Sequence, residues 1–351
     1  MGTGAIDGFK TLLKDAPDHF HMIFKKPTPD SPQIEIDKYL ILPGIAMYFV
    51  GQWIVNLNYW GCNQYITQRA LGANLQTART GILFAGFIKL MMPIIVMLPG
   101  IAAYVLHKNG HLPQLHGGKD GAYAAVLSFL PNGLKGLSIA ALTAAIVASL
   151  AGKANSISTI FTLDIYKKYI GKEADEKKLV WTGRVTIIIA MLVAILFTWN
   201  DLLGISGEGG FTFIQKYTGF ISPGVFAMFI LGMFWKRTTG TAAIAGLITG
   251  LVMAVIFNNY APSWFGHETL LYTAFPTMEG DRQVWRIPFL ICMGWSFIFT
   301  VAVMVALSLA GPRINPKAFM LDKEMFRLKP ATLTLIVIML MILVAIYVRF
   351  W

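Results

Sequence analysis

Charge is what this sequence has least of. Only 13% of its 351 residues are Asp, Glu, Lys or Arg, while 56% are hydrophobic, and the apolar residues run in long blocks instead of short alternating patterns. Such a composition excludes an ordinary soluble core and describes an all-α polytopic membrane protein. Acidic residues are scarcer still, 18 against 29 basic ones, for a formal charge of +11. The basic residues gather in short loops between apolar blocks, which is an orientation signal and not a nucleic-acid surface. There are two cysteines, Cys62 and Cys292, both inside apolar segments, so neither a disulfide framework nor a thiolate metal site is built from them. No Ser/His/Asp arrangement, Cys/His cluster or phosphate-cradling glycine loop is present, which argues against an enzyme. Membrane-depth carboxylates of the kind proton pumps use are also scarce, Asp164 falling at a cytoplasmic helix end and Glu208 at an outer one.

At about 20 residues per crossing, the apolar blocks predict about eight helical spans, near 38–66, 81–106, 134–162, 179–198, 209–234, 239–258, 287–309 and 331–350. Lipid offers the backbone no partner, so each must be helical. Loops after alternate spans carry Arg69, Arg79, Lys167, Lys168, Lys177, Lys178, Lys236, Arg237 and Arg313 on one side, and only Lys108, Lys119, Arg282 and Arg286 on the other. The richer side is cytoplasmic, which sets residues 1–37 as an extracytoplasmic polar segment ahead of a transmembrane domain over 38–351. Within that segment Ile6 to Phe24 predicts an amphipathic surface helix, with Phe9, Leu12, Leu13 and Phe20 on its apolar side. A start outside the membrane without a secretory signal implies either a natural truncation or further helices upstream.

The first span carries the most unusual segment, Asn56-Leu57-Asn58-Tyr59-Trp60-Gly61-Cys62-Asn63-Gln64. Amides, aromatics and a helix-weakening glycine at membrane depth need partners other than lipid, so the helix breaks here and lines a cavity. Further polar groups at depth are Lys89 in the second span and Gln215 and Lys216 in the fifth. Lys89 either snorkels to the headgroups or donates to solute oxygens. Gln215 either bonds a neighbouring helix or a solute, whereas Lys216 is read as structural. Together these neutral amides and few cations suit a neutral, hydroxyl-rich solute. In the third span Ala141, Ala145, Ala148, Gly152 and Ser156 form a small-residue stripe that permits close helix packing. Beside it, Ser149 adds a hydroxyl of the type that sodium takes as a ligand. Gly246 and Gly250 form a GxxxG read as packing.

Four blocks then carry a resemblance. Ala145-Ile146-Val147-Ala148-Ser149-Leu150-Ala151 with the run Asn155 to Tyr166 looks like the signature helix of the sodium:solute symporter family, and Phe234-Trp235-Lys236-Arg237-Thr238-Thr239 with Ala242 to Gly246 resembles its second signature. With Asn56 to Gly61 and Leu98 to Tyr104, the likeness is greatest to the sodium/glucose and sodium/galactose branch. It implies a fold of two inverted five-helix repeats with solute and sodium held midway across the membrane. The chain resembles the part from the sixth core helix onward: the second repeat plus three peripheral helices, the first repeat being absent.

Carried over residue by residue, the resemblance makes Tyr59 the aromatic that stacks on a sugar ring as an inner gate, with Trp60 beside it and Asn63 in the gate network. It makes Asn56, Lys89 and Gln215 donors to sugar hydroxyls. Its sodium site falls on Ala145, Ala148 and Ser149, where Ala148 stands in place of an expected hydroxyl. The implied function is sodium-coupled symport of a neutral sugar or polyol by alternating access, in a multi-pass plasma or bacterial inner membrane protein, with sodium as coupling ion and no cofactor. The chain would act as part of a longer or split protein with a missing N-terminal half. The alternative is a same-fold membrane sensor or a non-transporting fragment lacking the first repeat.

Overall fold

The computed structural model describes residues 4–112, 121–199, 210–279 and 282–351. Lys119 and Glu208, named above, lie outside them. The long apolar runs fold as helices because only a helix satisfies its own backbone in lipid. In chain order these are α1 (Ala5–Asp15), α2 (Gln33–Ile41), α3 (Ala46–Phe49), α4 (Gly51–Leu57), α5 (Gln64–Leu71), α6 (Leu75–Lys108), α7 (Gly121–Leu127), α8 (Asn132–Thr159), α9 (Glu176–Thr198), α10 (Gly210–Phe234), α11 (Gly240–Val255), α12 (Ala261–Phe265), α13 (Phe289–Leu309) and α14 (Pro330–Phe350). Three π-helical stretches, Asn58–Cys62, Ile160–Ile170 and Ile256–Tyr260, follow α4, α8 and α11. Among the described residues seven helical stretches are long and apolar enough to cross a membrane, and the bent pair Gln33–Phe49 and Gly51–Cys62 makes an eighth. All eight expected spans are therefore helical, the second running past its expected ends to the 34 residues of α6.

The chain divides into two compact units, Met1–Ala16 with Met91–Gly210, and Pro17–Leu90 with Phe211–Trp351. In the first unit, α8 and α9 meet at Gly183, where a Cβ would come within 2.6 Å of the Ser158 hydroxyl. Small residues thus bring the two backbones together. The amphipathic start is helical over α1, and its end is tied to α6 by the Lys108 ammonium donating to the Asp15 carbonyl at 3.2 Å.

The second unit holds most of the core. On α11, Gly246 and Gly250 are buried against Met304 and Thr300 of α13, and Gly250 also lies against Gly224 of α10, so the GxxxG is a packing surface. Where the sequence suggested one continuous first span, the chain turns by 83° at Val50. The cause is tertiary. Val50 seats on Gly294, and Gly51 sits against Leu290, leaving no room for a side chain on either glycine. Around this bend Met47, Leu290 and Met293 form a small core with Tyr48, Val55 and Phe289, and Tyr347 of α14 donates to the Tyr48 hydroxyl at 2.7 Å.

One element was not foreseen, an antiparallel hairpin of β1 (Phe275–Glu279) and β2 (Arg282–Arg286). Its Phe275 packs edge-on against Tyr39 at 5.4 Å and closes a core with Ile36. Thr277 bonds Asp37 at 3.4 Å. Tyr272, just before the hairpin, donates to the Ala261 carbonyl at 2.8 Å, and burial raises its phenol above the ordinary value. The Met22 amide donates to the Phe350 carbonyl at 2.9 Å, so the N-terminal segment also abuts the end of α14.

Candidate functional site

The break read from Asn56 to Gln64 is real and local. After α4 the hydrogen bonding widens to the π register over Asn58–Cys62, and Asn63 adopts extended backbone angles (φ −82°, ψ 120°) before α5 begins. A π turn loosens the helical ladder and is a frequent device at functional sites. Asn63 restarts the helix as its N-cap, its side-chain oxygen accepting from the Tyr65 amide at 3.0 Å. Asn56 is satisfied within its own helix, donating to the Gln52 carbonyl at 2.9 Å. The three asparagines therefore do different work.

Asn58 is the outward-reaching one. Its amide nitrogen donates to the Ser222 hydroxyl of α10 at 3.1 Å, while its carbonyl oxygen is buried without a hydrogen-bond partner. Ser222 lies seven residues beyond Gln215, two helical turns and about 10 Å along the same face of α10. Directly after Ser222, Pro223 has no N–H, so the Gly219 carbonyl loses its helical partner. Gln215, Gly219 and Ser222 thus form a polar line on one side of α10. Neither Asn58 nor Ser222 was singled out from the sequence; the serine-proline pair in an apolar span was the available signal.

Tyr59 and Trp60 occupy the π turn itself, their rings edge to face at 5.7 Å and 87°. Tyr59 is 41% exposed, so part of its side chain is free of protein contact. The Lys89 ammonium of α6 stands 5.6 Å from the Tyr59 centroid and 5.2 Å from that of Trp60. This cation–π arrangement holds the charge beside the two rings instead of letting it snorkel away. A partly exposed aromatic ring beside an ammonium and amides offers apolar stacking together with hydroxyl recognition. The structure thus joins Tyr59, Trp60 and Lys89 directly, keeps Asn56 and Asn63 as local helix partners, and puts Gln215 half-buried in line with Ser222.

Ala145, Ala148 and Ser149 lie on α8 in the first unit, and all three are exposed. Their spacing puts them on one helical face. The surrounding backbone is regular helix, so Ser149 brings the side-chain oxygen and Ala148 brings none. Among the described residues no three His, Cys, Asp or Glu side chains gather as a metal cluster.

The sequence profile of the sodium:solute symporter family matches residues 6–250. This chain belongs to that family. It is 42% identical over 287 residues to a "Sodium/glucose cotransporter" of Vibrio parahaemolyticus, covering 78% of this chain and 51% of that protein. It is 36% identical over 255 residues to the human "Sodium/myo-inositol cotransporter 2", covering 68% of this chain and 35% of that protein. A bovine "Sodium/myo-inositol cotransporter" is 34% identical over 224 residues, 60% of this chain and 31% of that protein. The chain spans about half the length of the first of these relatives and about a third of the others. It is a multi-pass membrane protein of a transporter family, not an enzyme.

Proposed function

We propose that the protein takes part in sodium-coupled symport of a neutral sugar or polyol by alternating access. The observation that carries this reading is the aromatic pair Tyr59 and Trp60 held on a π turn beside Lys89. A pyranose or cyclitol has an apolar C–H face that stacks on the Tyr59 ring and a hydroxyl rim that accepts from Lys89 and Gln215. Asn56 lines the same turn, and Asn63 fixes where the helix resumes, so a gate movement of Tyr59 is hinged between them. The names of the relatives, one for glucose and others for myo-inositol, support a substrate of this class. Sodium, held in part by Ser149 with carbonyls near Ala145 and Ala148, would stabilise the solute-competent state and so couple the two fluxes.

The test is uptake of labelled glucose, galactose and myo-inositol into proteoliposomes under an inward sodium gradient, with choline as control. Tyr59→Ala removes a stacking surface worth about 1 kcal/mol beyond its buried area and is expected to cut sodium-driven uptake at least tenfold. Sodium-driven uptake that survives in both Tyr59→Ala and Gln215→Ala overturns the site. One observation favours a second reading, a sensor or non-transporting member: Ala148 supplies no oxygen where the family pattern has a hydroxyl. Uptake unchanged by replacing sodium with choline favours that reading.

A further inference from the structure

The first unit contains a groove that the solute and sodium residues do not touch. It runs between the π-helical segment Ile160–Ile170 and α9, with a volume of about 470 Å³, and its walls include Phe161, Tyr166, Trp181, Val185 and Ile189, with Lys178 at the mouth. Its α9 wall follows the three- and four-residue steps of a single helix face. Two threonines on that wall, Thr182 and Thr186, spend their hydroxyls on the carbonyls four residues back, at 2.8 Å each, and so leave only methyl groups to the groove. Tyr166 is held in place by Gly171, where a Cβ would come within 2.6 Å of its ring. The lining is apolar and fixed.

The mouth is basic. A second hollow of about 390 Å³ on the other side of Trp181 is bordered by Lys177, Arg184 and Glu176. The Trp181 indole is 65% exposed between these cations. Lys177, Lys178 and Arg184 form no ion pair among the described residues, and Glu176 is the one carboxylate on the hollow's border. An exposed tryptophan at the end of a span, flanked by lysine and arginine, marks headgroup depth. The basic loops place this end on the cytoplasmic side, where acidic lipids draw cations.

We propose that this groove is a binding site for an anionic phospholipid, with an acyl chain along Phe161, Val185 and Ile189 and the phosphate taken by Lys178, with Lys177 and Arg184 reinforcing it across Trp181. An apolar channel ending in unpaired cations fits a lipid that has both a chain and a net negative headgroup. A zwitterionic lipid has the chain but not the charge. A free anion has the charge but gains nothing from the channel.

Native mass spectrometry of the full chain, delipidated and then offered equimolar phosphatidylglycerol and phosphatidylcholine, tests this. Retention of phosphatidylglycerol is expected to exceed that of phosphatidylcholine at least tenfold. Each basic residue near an acidic headgroup is worth about a fivefold change, so the triple variant Lys177→Gln, Lys178→Gln, Arg184→Gln is expected to abolish the preference. Ala190→Trp, which fills the groove and keeps every charge, is expected to lower retention of both lipids. Lys236→Gln with Arg313→Gln, removing charge elsewhere, is expected to change nothing. Equal retention of the two lipids, a preference intact in the triple variant, or an equal loss in the Lys236 and Arg313 double variant each overturns the proposal.

Discussion

The two units treat their spans differently. In the first, the most apolar windows of Asn132–Ile170 and Glu176–Thr198 are 0% and 6% buried, whereas in the second those of Thr212–Phe234, Gly240–Phe265 and Phe289–Leu309 are 33%, 28% and 39% buried, while its last span, Pro330–Phe350, stays at 6%. The second unit supplies its own packing partners, with glycine faces on α10, α11 and α13 letting backbones approach. The helices of the first unit present their apolar faces to an outside cover, whether lipid or further protein. Burial therefore tracks the division of labour: the aromatic and amide groups proposed for solute sit on the self-supported unit. The sodium candidates sit on exposed helix.

The sharpest way to break the comparison is to overfill the bend in the second unit. Gly294→Leu collides with Val50 and is expected to destabilise that unit by about 1–3 kcal/mol or more, seen as a lowered thermal midpoint by tryptophan fluorescence. An equally large change in the first unit tests the converse, since Ile188 is 59% exposed on α9. Ile188→Ala is expected to stay within about 0.5 kcal/mol; a loss as large as at Gly294 would end the contrast. Between these lie the site variants. Lys89→Met removes a cation–π contact of about 0.5–2 kcal/mol and a donor, and is expected to raise the apparent KM for sugar by roughly tenfold. Ser222→Ala strips Asn58 of its partner and is expected to cost about 1–2 kcal/mol, read as severalfold weaker solute uptake. The smallest effect is a gain: Ala148→Ser adds a hydroxyl ligand and is expected to lower the half-saturating sodium concentration severalfold.

Legibility followed the range of the forces involved. The spans were readable because about 20 consecutive apolar residues have few other fates, and the break at Asn56 to Gln64 because amides at membrane depth are conspicuous. The bend at Val50 was not readable, because its cause is Gly294 on a helix far along the chain and Val50-Gly51 is locally unremarkable. The Asn58 to Ser222 bond joins residues 164 apart, and no local pattern announces such a pair. The hairpin escaped because Pro276 and polar residues interrupt the alternation that marks a strand, and its stability comes from Phe275 packing on Tyr39 and Ile36. Lys89 was legible as an anomaly, but not its position over two rings.

Lys89 shares a continuous helix with Arg79, ten residues or about 15 Å away, and the Arg79 guanidinium grips the carbonyls of Arg327 and Met325 just ahead of α14. Between the two, Gly86 lies so near Met339 of α14 that an added Cβ would approach its terminal methyl to 3.0 Å. On the N-terminal side of Lys89, α6 is thus braced twice, by close packing at Gly86 and by the guanidinium of Arg79, so the ammonium beside Tyr59 is carried on a helix whose bearing is set from its water-facing end.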